Sequence, residues 1–401
     1  MNESILRSVR TNRPDAVKKI MWGGFFLRLV LLVFMLTFAT DWTEPYFISD
    51  DINYERIAEI YMNNAGRIID ATTFNRVASG FLQPFWPWVM CISSYIFKNI
   101  YAGRVINIVL SALCIGKAYD LTYNISENEK TAKLAAKLFA FLPVTVLTCC
   151  FPIKDIFLTY AVLYAFNTFV EFQNGKKIKI SHILISALLL TGIYFTRGAV
   201  TELMLLFFAI FFIQRFIKKR NYFAFILGII VCAAAVFVFK DKVMEAFDTK
   251  LDDYSEYSLI EGGTSVIRMS SITQLYKMPF AYFFATLQPM KLNLKFDEDI
   301  NWWLNIISYL NISIYPIAIG NFIYIFCKKK NFFFWISSLV MYCAIIYLVL
   351  GVFRHYLFLI PVEMINYSLY REQYEKSGFI IAATAAGLLA LIALMNIFLV
   401  L

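Results

Sequence analysis

Two adjacent carboxylates, in Ser49-Asp50-Asp51-Ile52-Asn53-Tyr54, stand just past the first long apolar run of this 401-residue chain. A carboxylate at such a border can take a proton from a hydroxyl or ligate a hard divalent cation. Acidic residues also suit the first turn of a helix, and Asp50 could instead cap the helical-looking stretch from Ile52 to Asn64. A third carboxylate stands in Lys154-Asp155, which follow Pro152 between two further apolar runs. Arg104 opens a run after Tyr101-Ala102-Gly103. Arg197 lies in Tyr194-Phe195-Thr196-Arg197-Gly198, and Arg354-His355 precede Tyr356-Leu357-Phe358-Leu359-Ile360-Pro361. The donor fork of a guanidinium matches phosphate oxygens. Asp50, Asp51 and Asp155 are therefore the candidate catalytic groups, and Arg104, Lys154, Arg197, Arg354 and His355 the candidate binders of a phosphate-bearing substrate. Each arginine alone reads equally well as a snorkelling anchor; it is the set, beside an acidic pair on one face, that points to an anionic ligand.

The elements that must position these residues are apolar. The chain is 60% hydrophobic and 16% charged, with mean hydropathy +0.64, where a soluble domain carries about 25% charged residues. Apolar runs near the ~20 residues needed to cross a bilayer occupy 21–40, 102–123, 132–151, 156–172, 182–196, 200–217, 222–239, 302–327, 332–351, 356–370 and 379–401. Backbone polar groups in lipid must be satisfied internally, and these runs are too uniformly apolar for barrel strands. The expected fold is all-α and polytopic, with about eleven spans.

Basic clusters order those spans. They lie at Arg7 to Lys19, at Lys176-Lys177-Ile178-Lys179, at Arg215 to Arg220, and at Lys328-Lys329-Lys330. All fall on the cytoplasmic side if the apolar segment 81–97, broken by Pro84 and Pro87, does not cross. Its Trp86 and Trp88 suit the headgroup level. The segments around 42–80, 152–155, Arg197, 241–301 and Arg354 then share the outer face. The first and the 241–301 connections are long, and long loops are often functional. The organisation expected is one transmembrane catalytic domain over 1–400, with a core about 20–240, an outer loop about 241–301 and C-terminal spans about 302–401.

The net charge of +9 is accounted for by the cytoplasmic clusters, and no separate basic patch points to nucleic acid. Seven cysteines without a Cys-x-x-Cys pair give neither a disulfide framework nor a zinc site. His182 and His355 are the only histidines, which excludes a multi-histidine metal centre. The first apolar run lacks a small-residue cleavage site and reads as an uncleaved helix. Arg28, inside it, reads as a snorkelling side chain; Lys117 and Asp120 read as a local pair. Glu261-Gly262-Gly263-Thr264-Ser265 reads as a plain turn, with a lid as the alternative. Glu363, inside an apolar run, has no sequence explanation.

The ordered set of motifs resembles the GT-C superfamily of membrane glycosyltransferases, especially the bacterial relatives of protein O-mannosyltransferases and lipid A aminoarabinose transferases. That family shows Asp-Glu-x-x-Tyr soon after its first span; here the match is Asp50-Asp51-Ile52-Asn53-Tyr54, with Asp for Glu. A Pro-rich amphipathic segment follows, similar to Leu82-Gln83-Pro84-Phe85-Trp86-Pro87. Next come an arginine opening a span, similar to Arg104-Val105-Ile106-Asn107, and an Asp after a Pro-containing span, similar to Phe151-Pro152-Ile153-Lys154-Asp155. The resemblance covers residues 20–200 and implies a GT-C-like fold whose long first outer loop bears interfacial helices. It implies an inverting transferase in a bacterial plasma (inner) membrane, with its active site outside the cytoplasm. The donor would be a polyprenyl-phosphate sugar and the acceptor a hydroxyl on a glycan, lipid or protein of the cell envelope. By position Asp50 matches the family's catalytic aspartate. Asp50 and Asp155 could together hold Mg²⁺ or Mn²⁺ with waters, although relatives also work without metal.

Two other readings compete. A lipid-linked polysaccharide polymerase or ligase usually carries its key arginines and histidine in a large late outer loop; the 241–301 loop holds Arg268 and no histidine. A lipid-linked glycan transporter or flippase needs polar groups along the membrane midplane, whereas the charges here favour span ends, Glu202 and Glu363 excepted. Product size separates the first reading from single-sugar transfer, and chemical change of the substrate separates the second.

Overall fold

The computed structural model of the chain describes residues 13–38, 46, 49–81, 83–176, 179–218, 303, 306–307, 310–327, 336–341, 357–373, 381 and 384–387. Every regular element among them is helical. In chain order the helices are α1 (Asp15–Thr37), α2 (Ser49–Asn64), α3 (Ala71–Val77), α4 (Phe85–Phe97), α5 (Ala102–Ser126), α6 (Glu129–Phe141), α7 (Pro143–Thr148), α8 (Asp155–Gln173), α9 (Ile180–Tyr194), α10 (Gly198–Lys218), α11 (Tyr315–Cys327) and α12 (Ile360–Gln373). A 3₁₀ turn at Asn311–Ile314 precedes α11.

α5 is the hub. It packs against α1, α4, α6, α8 and α12 and buries residues around most of its circumference, from Arg104 and Asn107 through Ser111 and Cys114 to Tyr119 and Thr122. α1 buries Val17, Ile20, Gly24, Arg28, Leu32 and Met35 at helical spacing against α5 and α6. At Gly24 a Cβ would stand 2.6 Å from Ile115 Cδ1 and 3.3 Å from the Ala140 Cβ, so the three helices meet where α1 has no side chain. The opposite side of α1 is apolar too: Trp22, Phe26, Val30, Val33 and Phe34 are exposed, as are Ile180, Ile183, Leu184 and Leu188 of α9. A helix apolar on both sides needs an apolar surround.

α1 and α5 are the two helices among the described residues long and apolar enough to cross a membrane. At ~1.5 Å per residue both exceed the ~30 Å hydrocarbon core. The wider expectation of about eleven spans is only partly met by the described residues. The run 222–239 and most of 332–351 and 379–401 lie outside them. The run 132–151 is not one helix: α6 ends at Phe141, Leu142 is extended, and α7 starts at Pro143. Proline has no N–H to give the carbonyl four residues back, so Phe139 O loses its helical donor there.

Arg28 repairs that break. Its Nη2 donates to Phe139 O at 2.8 Å and its Nη1 to Ala140 O at 2.8 Å and Gly24 O at 2.9 Å. Thr145 Oγ1 adds a bond to Phe139 O at 3.0 Å. The guanidinium is fully buried, which corrects the expectation of snorkelling: the orphan carbonyls at the end of α6 draw it inward.

α4 has 13 residues, ~20 Å at ~1.5 Å per residue, too short to cross. It lies against α2 and α5, and α2 also packs on α3. Ile57, Tyr61, Phe74, Ala78 and Cys91 form a small core under this layer, with Trp88 stacked on Phe74 at 3.9 Å between centroids. Trp86 does not sit at a surface level as its sequence context implies. It is fully buried, and its Nε1 donates to Pro152 O at 2.8 Å.

Candidate functional site

The two adjacent aspartates point the argument in different directions because a helix turns ~100° per residue. α2 begins at Ser49, so both fall in its first turn. Asp51 shares a face with Glu55, four residues on, and that face is buried: Asp51 is fully buried and Glu55 nearly so. Position 50 shares its face instead with Asn53, Tyr54 and Ile57, which line a cleft. The Asp50 side chain itself lies outside the described residues.

The buried face meets α5. Arg104 Nε donates to Glu55 Oε1 at 2.6 Å and Arg104 Nη2 to Glu55 Oε2 at 2.9 Å, a fork-on-fork pair sealed from solvent. The Tyr46 and Tyr101 rings flank the guanidinium at 5.2 and 5.6 Å. Asp51 lies within its electrostatic reach. Tyr46 hydrogen-bonds Glu55, and burial together with that carboxylate pushes the Tyr46 phenol well above its ordinary value. Arg104, expected to hold donor phosphate, thus spends at least two donors on Glu55.

Three residues along α5, one helical turn, Asn107 organises the second carboxylate station. Its Nδ2 donates to Phe151 O at 2.7 Å and to Ile153 O at 2.9 Å. With the Trp86 bond to Pro152 O, the turn before α8 is held at three successive carbonyls. Lys154 and Asp155 leave that turn in different directions. Lys154 Nζ donates to Gln83 Oε1 at 3.2 Å at the cleft. Asp155 starts α8 and is fully buried, where the positive end of the helix favours a carboxylate. Its Oδ1 accepts from Arg197 Nη1 at 3.3 Å. Arg197, expected at donor phosphate, is itself largely buried between α9 and α10.

The cleft has a volume of about 820 Å³ and is walled by α2, α3, the linker before α4 and Lys154. Its apolar wall is Tyr54, Ile57, Ile60, Val77 and Phe81, with Tyr54 and Phe81 stacked at 5.6 Å. Arg56, Arg76 and Lys154 line it, and no acidic side chain among the described residues does. Asp70 caps α3 beside it: its Oδ1 accepts from Thr73 N at 3.0 Å and its Oδ2 from Thr73 Oγ1 at 2.9 Å. Those bonds hold the Asp70 carboxyl below the usual range.

Among the described residues no three His, Cys, Asp or Glu side chains cluster as a metal site. At Asp155 a divalent cation would compete with the Arg197 guanidinium for the same carboxylate, so that half of the Asp50–Asp155 ligand pair fits a metal poorly. Arg354, His355, the 241–301 loop and Glu261 to Ser265 lie outside the described residues. Glu363 is buried in the first turn of α12. Lys117 does face Asp120, at 3.8 Å, but Arg13 holds the same carboxylate more closely, at 2.6 Å.

Sequence reasoning gave no role to Glu55, Asn107, Arg56 or Arg76. Spacing carried a signal for two of them: Glu55 is four residues after Asp51, and Asn107 three after Arg104. Fold and site together define a class no narrower than an all-helical protein with a cation-lined cleft beside two buried carboxylate–arginine pairs. No protein-family model matches the chain, and no curated protein matches it at a significant level.

Proposed function

We propose that the chain is a polytopic membrane glycosyltransferase of GT-C type. It moves a sugar, with inversion, from a polyprenyl-phosphate-linked donor to an acceptor hydroxyl in cell-envelope glycan or glycolipid assembly. It lies in a bacterial plasma membrane with its active site outside the cytoplasm. The observation that carries this reading is the use of one turn of α5: Arg104 ties down the Asp51–Glu55 face of α2, and Asn107 ties down the Lys154–Asp155 turn. One rigid end thus holds the two segments whose Asn53, Tyr54 and Lys154 line the cleft. The apolar outer faces of α1 and α9 support a lipid surround.

In this mechanism Asp50 is the base. Asp51 is buried beside Arg104, away from substrate, whereas position 50 is on the cleft face. Asp50 takes the proton of the acceptor hydroxyl, the oxygen attacks the anomeric carbon, and lipid phosphate leaves with the bonding pair. Lys154 and the cleft arginines stabilise the charge that develops on it. Asp155 and Arg197 fix the turn that carries Lys154.

The test is release of free polyprenyl phosphate from a panel of polyprenyl-phosphate sugars by the purified chain in nanodiscs, with candidate acceptors. Release by wild type, at least ~100-fold slower in Asp50→Asn and reduced in Asp155→Asn, is expected. Full activity in both variants would sink the mechanism.

A further inference from the structure

The layer built from α2, α3 and α4 is polar over most of its exposed surface, where Arg56, Glu59, Asn63, Asn75 and Arg76 face outward. One corner differs. Ile68 and Ile69, in the connection from α2 to α3, and Ile96 and Phe97, at the end of α4, are each half exposed or more. The exposed cations Arg67 and Lys98 adjoin the two pairs in sequence.

Tyr61 of α2 brings the pairs together. Its hydroxyl donates to Ile68 O at 2.9 Å and accepts from Asp70 N at 2.6 Å. The backbone of the connection is thus fixed while both isoleucine side chains stay outward. The Tyr61 ring meets Tyr95 edge to face at 6.2 Å, and Ile96 and Phe97 follow Tyr95 directly. The Lys98 ammonium lies over the Tyr95 ring at 3.9 Å. An apolar patch rimmed by polar groups marks an interaction surface.

Connectivity says what covers it. The turn from Phe97 into α5 is tight: Asn99 N donates to Ser94 O at 3.3 Å and Ala102 N to Asn99 O at 3.2 Å. α5 starts at Ala102 and is long and apolar enough to cross a bilayer. Its exposed Val105, Val109 and Leu113 recur every four residues, an apolar stripe that meets lipid on a crossing helix. The corner therefore sits where that stripe reaches the head groups. At that depth apolar side chains enter the acyl boundary and neighbouring cations reach the phosphates.

We propose that Ile68, Ile69, Ile96 and Phe97 form a wedge inserted into the lipid leaflet at the Ala102 end of α5, with Arg67 and Lys98 on head-group phosphates. The proposal rests on the membrane-spanning part of the reading above and is independent of its chemistry. Ile60, next to Tyr61, lines the cleft, so the wedge holds that wall of the cleft at a fixed depth at the membrane surface.

The test places benzoylphenylalanine in turn at Ile69, Phe97, Val109 and Glu59 of the full chain. Each protein is reconstituted in phospholipid nanodiscs, irradiated and searched for lipid adducts by mass spectrometry. All four positions are exposed, so the replacement does not disturb packing. Val109 reports lipid contact of α5, and Glu59 is an acidic position on the same layer as the wedge. Expected are phospholipid adducts at Ile69 and Phe97 as abundant as at Val109 and about tenfold or more above Glu59. Adducts at Val109, with Ile69 and Phe97 no higher than Glu59, overturn the wedge and leave α5 in the bilayer. Cross-links from Ile69 or Phe97 to a second copy of the chain in place of lipid overturn it in favour of a protein contact. Lipid adducts at none of the positions, Val109 included, remove the membrane crossing and the wedge together.

Discussion

Glu55→Leu removes one half of a buried ion pair and leaves the other half in place. Arg104 and Glu55 are 0% and 2% exposed, and two short bonds join them. Losing one partner of such a pair costs about 3–5 kcal/mol, because the remaining charge stays buried without compensation. Asp51 still lies in the field of Arg104, and the Tyr46 and Tyr101 rings still flank it, so the lower end applies. The expected loss is about 3 kcal/mol, on the order of 100-fold in the unfolding equilibrium. Arg104→Met alone should cost as much by stranding Glu55. The double variant Glu55→Leu/Arg104→Met removes both charges and should cost less than the two singles added together, with buried Asp51 left without the Arg104 field. Denaturation by SDS in mixed micelles, followed by tryptophan fluorescence, gives all three values and the coupling energy. A single-variant cost below about 1 kcal/mol, or a double-variant cost equal to the sum of the singles, would refute the reasoning. Either result would mean that Arg104 is held elsewhere, and would return it to the role of phosphate ligand expected from sequence.

Arg28→Met should destabilise by about 2–4 kcal/mol, since three backbone carbonyls lose charged donors, where a snorkelling residue would cost under about 0.5 kcal/mol; the same SDS titration measures it. Asn107→Ala strands two buried carbonyls and should cost about 2 kcal/mol. Its transfer activity should fall further than that of an equally destabilised α9 surface variant, compared at one temperature. Gly24→Ala should lower the melting point by forcing α1 away from Ile115 and Ala140, read by differential scanning fluorimetry. The Asp70 carboxyl, held below its ordinary value by the α3 cap, stabilises that turn above about pH 3.9. The benefit is lost as pH falls through the lowered folded value. Amide exchange at Thr73, corrected for intrinsic rate, should therefore accelerate at acid pH in wild type and lose that pH dependence in Asp70→Asn.

The sequence by itself determined the helical class, because long apolar runs with few charges leave helices as the means of satisfying the backbone in lipid. It located α5, α8, α9 and α10 to within three residues and overlapped α1, and it singled out Asp51, Arg104, Lys154, Asp155 and Arg197, since charges beside apolar runs are costly and stand out. It could not assign partners. Glu55 and Arg104 are 49 residues apart, Asp155 and Arg197 42, and no local pattern says which guanidinium meets which carboxylate. Nor could it foresee that Pro143 would break the run 132–151 and pull Arg28 into the core, because that bond depends on α1 lying against α6. The separation of Asp50 from Asp51 is likewise tertiary. Helical geometry sets the two positions apart, but only the packing of α2 against α4 and the contact with Arg104 decide which face is buried and which opens on the cleft.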